Sequence, residues 1–226
     1  AAINALSARL KQAVESRMRL VAAAGHDLRT PLTRMRLRAE FVTDEEDQSL
    51  WLTDIDELER IADSAIQLVR EETAAAPPEA IRIDALVRSI ADELKDQRFA
   101  FEVAELSEAY VGANRLALSR ALRNLFINSA THGVSGVVSV VAGERVEIRV
   151  YDIGPGLSED ELEQVFEPFY RVDKARRQNV PGAGLGLTIS REIVRRLGGD
   201  IHLENRPGGG LLQVVALPPY RKDEAS

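Results

Sequence analysis

Within the first 75 residues the only glycine is Gly25 and the only proline is Pro31, although the whole chain of 226 residues carries 15 glycines and 9 prolines. Glycine and proline are the residues that interrupt regular elements, so a stretch almost without them can form long helices, and a stretch rich in them must turn often. The chain therefore divides into a helical part followed by a loop-rich α/β part. Apolar residues make up 45%, enough to fill a real core in each. A net charge of −7 argues against a nucleic-acid surface. The chain has no cysteine, which excludes disulfides, thiolate catalysis and cysteine-based metal centres. No stretch approaches the roughly 20 apolar residues of a membrane span, and no signal peptide opens the chain. The expectation is a soluble fragment without direct membrane contact.

From Ala1 to about Thr43 the pattern is helical, with apolar residues at Ile3, Leu6, Leu10 and Ala13 and then, on a shifted face, Val14, Met18, Val21 and Leu28. The acidic run Thr43-Asp44-Glu45-Glu46-Asp47 suits a helix start, where carboxylates meet the positive end of the dipole. A second helix to about Thr73 carries Trp51, Ile55, Leu58, Ala62, Ala65 and Val69 in alternating steps of four and three, the periodicity of a bundle seam. Two such helices form an antiparallel hairpin, and pairing with a second copy closes a four-helix bundle, so a homodimer is expected. The Ala74–Pro78 segment reads as a linker. Beyond it the pattern predicts strands near 81–83, 99–103, 137–142, 146–152, 201–204 and 211–217. Helices are predicted over 84–95, 115–132 and 185–197, the last ended by Gly198-Gly199. Helices with a mixed sheet make a two-layer α/β sandwich.

Several residues in these segments carry chemistry. His26 follows Ala22, Ala23, Ala24 and Gly25, small residues that leave an imidazole standing proud, either merely solvated or available as a nucleophile. Thr30, four residues on, shares its helical face and can position a water. Pro31 offers no N–H to the Asp27 carbonyl, so a kink is expected beside the histidine. Asp27 itself points roughly 100° away around the helix, and geometry alone does not make it the partner of His26. Asn124 and Asn128 project from one helical face, as surface residues or as a ligand for magnesium carrying a triphosphate. Asp152 ends a strand and is followed by Gly154 and Gly156, a plain turn or a nucleotide loop. A second glycine loop, Gly182-Ala183-Gly184-Leu185-Gly186-Leu187, lets backbone N–H groups approach phosphates at the start of a helix. Neither loop matches the Gly-x4-Gly-Lys-Ser/Thr phosphate loop or a dinucleotide fold. Between them Arg171, Lys174, Arg176 and Arg177 form a basic run, a solvated loop or a lid that neutralises phosphate charge.

In this order the segments resemble the two-domain catalytic core of bacterial sensor histidine kinases of two-component systems. Gly25 to Leu32 matches the phosphoacceptor box of that family and Asn124 to Asn128 its asparagine box. Asp152 to Gly156, Phe166 to Phe169 and Gly182 to Leu187 match the first glycine, phenylalanine and second glycine boxes. The resemblance implies a helical dimerisation and histidine-phosphotransfer hairpin over 13–75, and over 76–226 an ATP-binding α/β sandwich of the type shared with gyrase, the Hsp90 chaperones and MutL. Residues 1–12 resemble the end of a HAMP signal-relay module, which implies the cytoplasmic part of a bacterial inner-membrane receptor.

By that resemblance His26 is the phosphoacceptor, Asp27 the base that activates it and Thr30 a residue that helps dephosphorylate a partner. Asn128 ligates magnesium, Asn124 supports the nucleotide, Asp152 holds the adenine amino group and Arg171 meets the terminal phosphate. Gly154, Gly156, Lys174, Gly182, Gly184, Leu185, Gly186 and Leu187 complete the ATP site. Many members carry Lys or Arg three residues after the metal asparagine; this chain has Thr131 there and then His132, counted with the nucleotide site. The implied cofactors are ATP and Mg2+, and the implied partner besides a second copy is a cognate response regulator. Two rival readings are an ATP-hydrolysing conformational machine of the same nucleotide-binding fold, which needs no His26, and a nonenzymatic scaffold, which needs no ATP.

Overall fold

The structure is a computed structural model that describes residues 28–71, 78–172 and 184–220. The chain divides into two compact units, residues 1–75 with 181–183, and residues 76–180 with 184–226.

In the first unit residues 28–39 are helical (α1), and after a turn the chain enters α2, Glu45–Glu71. The acidic run starts α2 as expected. Asp44 Oδ1 accepts from the amides of Glu46 and Asp47, each at 3.0 Å, and satisfies two of the donors a helix start leaves open. The Gln48 amide donates to the Ala39 carbonyl, and farther along Arg36 pairs with Asp56 and Glu59, so the two helices run antiparallel. Those two carboxylates raise the pKa of the Arg36 guanidinium by accepting hydrogen bonds from it. Of the expected seam, Ile55 is fully buried, and on α1 Leu32 and Ala39 are buried as well. Trp51 and Leu58 stay exposed, together with Leu28, Leu37, Leu50 and Phe41. The side chains of Ala65 and Val69 lie outside the described residues, as does the first helical stretch before residue 28.

In the second unit the order is β1 Glu79–Arg82, α3 Ile83–Asp96, β2 Phe101–Leu106, β3 Tyr110–Ala113, α4 Arg115–His132, β4 Gly136–Val141, β5 Val146–Asp152, α5 Glu161–Gln164, α6 Gly186–Arg196, β6 Asp200–Asn205 and β7 Leu211–Leu217. The main sheet runs β2-β4-β5-β7-β6, with β2 and β4 parallel and the other pairs antiparallel; β1 and β3 form a separate two-stranded sheet. The β4–β5 hairpin forms as its glycine-bearing turn predicts. Burial alternates strictly along both β7 and β5, with Val146, Ile148, Val150 and Asp152 of β5 turned inward. Over that inner face lie α3, α4 and α6, whose buried residues recur every three or four positions. Phe101 and Phe126 stack with ring centres 4.8 Å apart.

Several elements differ from the sequence reading: α1 ends at residue 39 and not near Thr43, and β2 begins two residues later than read, at Phe101. The first strand ends at Arg82, and Ile83, read as strand, is the fully buried first residue of α3. β3 was not expected: Tyr110-Val111-Gly112-Ala113 is too short to show a period, and its pairing with β1 is what makes it a strand. The short α5, also not expected, starts at Glu161, whose carboxylate accepts from both the amide and the hydroxyl of Ser158 at 2.8 Å.

Candidate functional site

α4 organises the site. Asn114 starts it by accepting from the Ala117 amide at 3.0 Å. Leu118, Ala121, Leu122, Leu125, Phe126 and Ser129 form its buried face. Asn124 and Asn128 fall beside that face and are half-buried. Asn124 Nδ2 donates to the Gly186 carbonyl at 3.4 Å, so the first turn of α6 lies across from it. α6 is anchored there by Leu185, which is buried, and by the Ser190 hydroxyl, which bonds the carbonyls of Ala121 and Gly186. Gly186 itself remains exposed at the helix N-terminus, where unpaired N–H groups and the dipole favour an anion.

Asp152 stands at the other end, where α4 finishes. Its Oδ1 accepts from the amides of Gly154 at 2.9 Å and Leu211 at 3.0 Å. Backbone crowds it closely. A Cβ at Gly133 would sit 2.1 Å from the Asp152 Cβ, and one at Gly210, whose φ is +90°, would sit 2.0 Å from the Asp152 carbonyl oxygen. A Cβ at Gly154 would sit 2.9 Å from both the His132 carbonyl oxygen and the Gly133 Cα. Arg206 donates to the Asp152 carbonyl at 3.1 Å and lies over the Tyr151 ring at 4.4 Å, bracing the strand end from outside. The carboxylate is thus nearly buried, with Oδ1 spent on backbone. Its second oxygen makes no hydrogen bond among the described residues and can accept one from a ligand. From Asn124 to Gly133 is nine residues of helix, about 13 Å at about 1.5 Å per residue, which suits an extended nucleoside triphosphate.

Two more contacts shape the loops between. Asn205 holds Leu157 by both backbone groups, accepting from its amide at 2.9 Å and donating to its carbonyl at 2.7 Å. The glycine loop after Asp152 is so tied to the end of β6. Phe169 donates its amide to the Gly184 carbonyl at 3.0 Å, and Gly184, with φ +68°, packs on the Tyr170 and Phe169 backbone. The phenylalanine box and the second glycine box are therefore neighbours. Arg191 of α6 reinforces that corner: it lies over the Phe166 ring at 4.2 Å and pairs with Glu163 and Asp200. Burial would push the Asp200 carboxyl up, but hydrogen bonds from Arg191 and Arg195 hold it well below the ordinary carboxylate range. At the site's edge His132 has its pKa lowered by desolvation and by the positive charge of Arg171, which outweigh the pull of Asp152. Although His132 is exposed by surface area, the atoms around it desolvate the ring enough to favour its neutral form.

Of the residues expected from sequence, Asn124, Asn128, His132, Asp152, Gly154, Gly156, Arg171, Gly184, Leu185, Gly186 and Leu187 all belong to the second unit. Asn124 meets Gly186, and Asp152 meets Gly154 and the end of α4. Lys174 and Gly182 lie outside the described residues, and so do His26 and Asp27. Thr30 is exposed on α1. The expected kink begins at Asp27, and it too lies outside the described residues. Sequence reasoning missed Gly133, Asn205, Arg206 and Gly210. Arg206-Pro207-Gly208-Gly209-Gly210 is a plain turn signal, but only the fold brings it beside Asp152.

The family model of the His Kinase A (phospho-acceptor) domain matches residues 16–73, and that of the histidine kinase-, DNA gyrase B-, and HSP90-like ATPase matches residues 113–221. The chain belongs to the sensor histidine kinases. It is 38% identical over 219 residues to the sensor histidine kinase GtrS of Pseudomonas aeruginosa, covering 96% of this chain and 45% of that one. To the signal transduction histidine-protein kinase/phosphatase MprB of Mycolicibacterium vanbaalenii it is 32% identical over 251 residues, covering 98% and 51%. The solved structure of a mycobacterial sensor histidine kinase MprB superposes with a TM-score of 0.55 at 26% identity, covering 62% of this chain and 98% of that one. This kinase core spans about half the length of the curated relatives it matches. Its second family model makes the α/β unit an ATP-binding one. Among the described residues no helix is long and apolar enough to cross a membrane.

Proposed function

We propose that the chain is the catalytic core of a receptor that phosphorylates its own His26 from ATP and passes the phosphoryl group to an aspartate of a response regulator. The observation that carries this reading is the assembly on one unit of a nearly buried acceptor, Asp152, with a paired amide face and an open helix start at Gly186. Asp152 would take the amino group of adenine through its free oxygen, and the Gly186 end of α6 would take phosphate. Asn128 would hold a magnesium ion, whose charge offsets that of the phosphates. That fits a site where, among the described residues, no three His, Asp or Glu side chains gather into a cage of their own.

In the reaction the lone pair of the neutral His26 imidazole forms a bond to the γ-phosphorus, and the bond to the bridging oxygen breaks, its electron pair leaving with ADP. The proton on the other ring nitrogen passes to Asp27. In the second step a carboxylate oxygen of the regulator attacks phosphorus and the P–N bond breaks, its electron pair returning to the His26 nitrogen while the other ring nitrogen regains a proton. Thr30, exposed on α1, would orient a water that later hydrolyses the regulator's acyl phosphate; the relative MprB carries both kinase and phosphatase in its name. The exposed Leu37, Phe41, Trp51 and Leu58 support pairing of two hairpins into a four-helix bundle.

Incubation with magnesium and γ-labelled ATP tests the reading. Acid-labile, alkali-stable label in the parent that is lost in His26→Gln is the expected result. Label that persists in His26→Gln removes the assigned nucleophile, and ATP turnover without any label favours a hydrolase.

A further inference from the structure

The inner face of β7 consists of Leu211, Gln213, Val215 and Leu217. Gln213 is the polar member, and no part of it reaches solvent. Its Nε2 donates to Ser129 Oγ at 2.7 Å, and Ser129 is just as fully buried. Gln213 Oε1 is buried with no hydrogen-bond partner among the described residues. A hydroxyl can both donate and accept, so either end of the amide can meet Ser129, and the other end is always left over. An apolar side chain of the same length would avoid that cost, and most buried polar atoms are matched. A mismatch of this kind is found where a polar contact serves a purpose other than stability.

The location indicates the purpose. Gln213 lies two residues beyond Leu211, whose amide bonds Asp152, and pairs in register with Val150, two residues before Asp152. Ser129 follows Asn128 on α4, and its carbonyl accepts from Gly133, the glycine packed against Asp152. The Gln213–Ser129 bond therefore joins the strand layer just beneath Asp152 to the helix that bears Asn124 and Asn128. Apolar side chains such as Val138, Val150 and Phe126 press α4 onto the sheet, but their attraction has no direction and tolerates small slides. A buried hydrogen bond specifies distance and angle, and a low dielectric strengthens it.

We propose that Gln213 is a positioning residue of the nucleotide site: acting through Ser129, it fixes the height of α4 on the sheet and hence the spacing between Asn128 and Asp152. The proposal rests on the reading of these two residues as the metal and base ends of an ATP site.

The test uses the full chain with Gln213→Met, Ser129→Ala and the double variant. Two properties are measured: the unfolding midpoint without nucleotide, and ATP affinity, by displacement of a fluorescent nucleotide over a range of magnesium concentrations. Gln213→Met should unfold at the parent's temperature or higher. It should nevertheless bind ATP about tenfold more weakly and need more magnesium, the order of effect typical of a positioning partner. Higher stability with weaker binding is a combination that a merely structural residue does not produce. Ser129→Ala should move affinity the same way, and the double variant should lose no more than the larger single loss, because both act through one bond. Parent affinity in Gln213→Met, or parent affinity restored in the double variant, would overturn the proposal. Should Gln213→Met not fold, the smaller change Ser129→Ala carries the same comparison. Asp152→Asn separates the two levels. If it binds ATP like the parent, the base-binding reading itself fails; if it loses ATP while Gln213→Met does not, only the positioning role fails.

Discussion

Asn205 shows how one side chain can control a loop it does not belong to. Because its amide both accepts from and donates to Leu157, its orientation is unambiguous, and each half can be removed separately. Asn205→Ala should cost about 1–2 kcal/mol, two exposed hydrogen bonds at ordinary net worth, and weaken ATP binding several-fold by freeing the Gly154–Gly156 loop. Asn205→Asp keeps the acceptor but sets a second oxygen against the Leu157 carbonyl, so it should bind ATP no better than Asn205→Ala. Denaturant unfolding alongside nucleotide titration checks both. Equal binding by all three proteins would show that the clamp is irrelevant to the loop's function.

At the scale of elements, α6 is joined to α5 and to β6 by ion pairs of Arg191 with Glu163 and Asp200. The pH dependence follows from the Asp200 carboxyl. Its pKa in the folded protein is depressed below the unfolded value of about 3.9, so its contribution is complete above that value and is lost as pH falls below it toward the folded one. Asp200→Asn should therefore be less stable than the parent at neutral pH and begin acid unfolding, followed by circular dichroism, at higher pH, with the gap between the two narrowing as pH falls below about 3.9. Identical acid profiles would mean that the network does not couple to folding. The hairpin makes a separate prediction. Trp51→Glu places a charge on an apolar face that a second copy would cover, and should weaken association by about 2 kcal/mol or more in sedimentation equilibrium. An unchanged dimer would locate the interface elsewhere on the hairpin.

Over the whole molecule, the second unit contains every described nucleotide-site residue, whereas Thr30 belongs to the first. Residues 76–226 produced alone should bind ATP and label nothing. Mixed with residues 1–75 they should transfer label to His26 at a rate that rises with concentration, since the linker then no longer supplies the local concentration. Label on the isolated second unit would contradict the division of labour.

The two-part organisation was legible in sequence because glycine and proline act locally, and so were the helix starts, the β4–β5 hairpin and the glycine boxes. Periodicity reports which face is apolar, and α2 shows the limit of that signal: Ile55 and Trp51 obey one pattern, yet one is buried and the other exposed. What covers a face is decided by a neighbour, and no local pattern encodes it. The same holds for β3, too short to have a period, and for Gly133, Gly210, Arg206 and Gln213, which lie far along the chain from Asp152 or in another element. The sequence by itself determined the family, through the order of its motifs, because residue types and spacing along one helix or loop are local properties. Only the tertiary structure decided what surrounds Asp152 and holds α4, because close approach of backbones and buried hydrogen bonds depend on distances between segments that the order of residues does not specify.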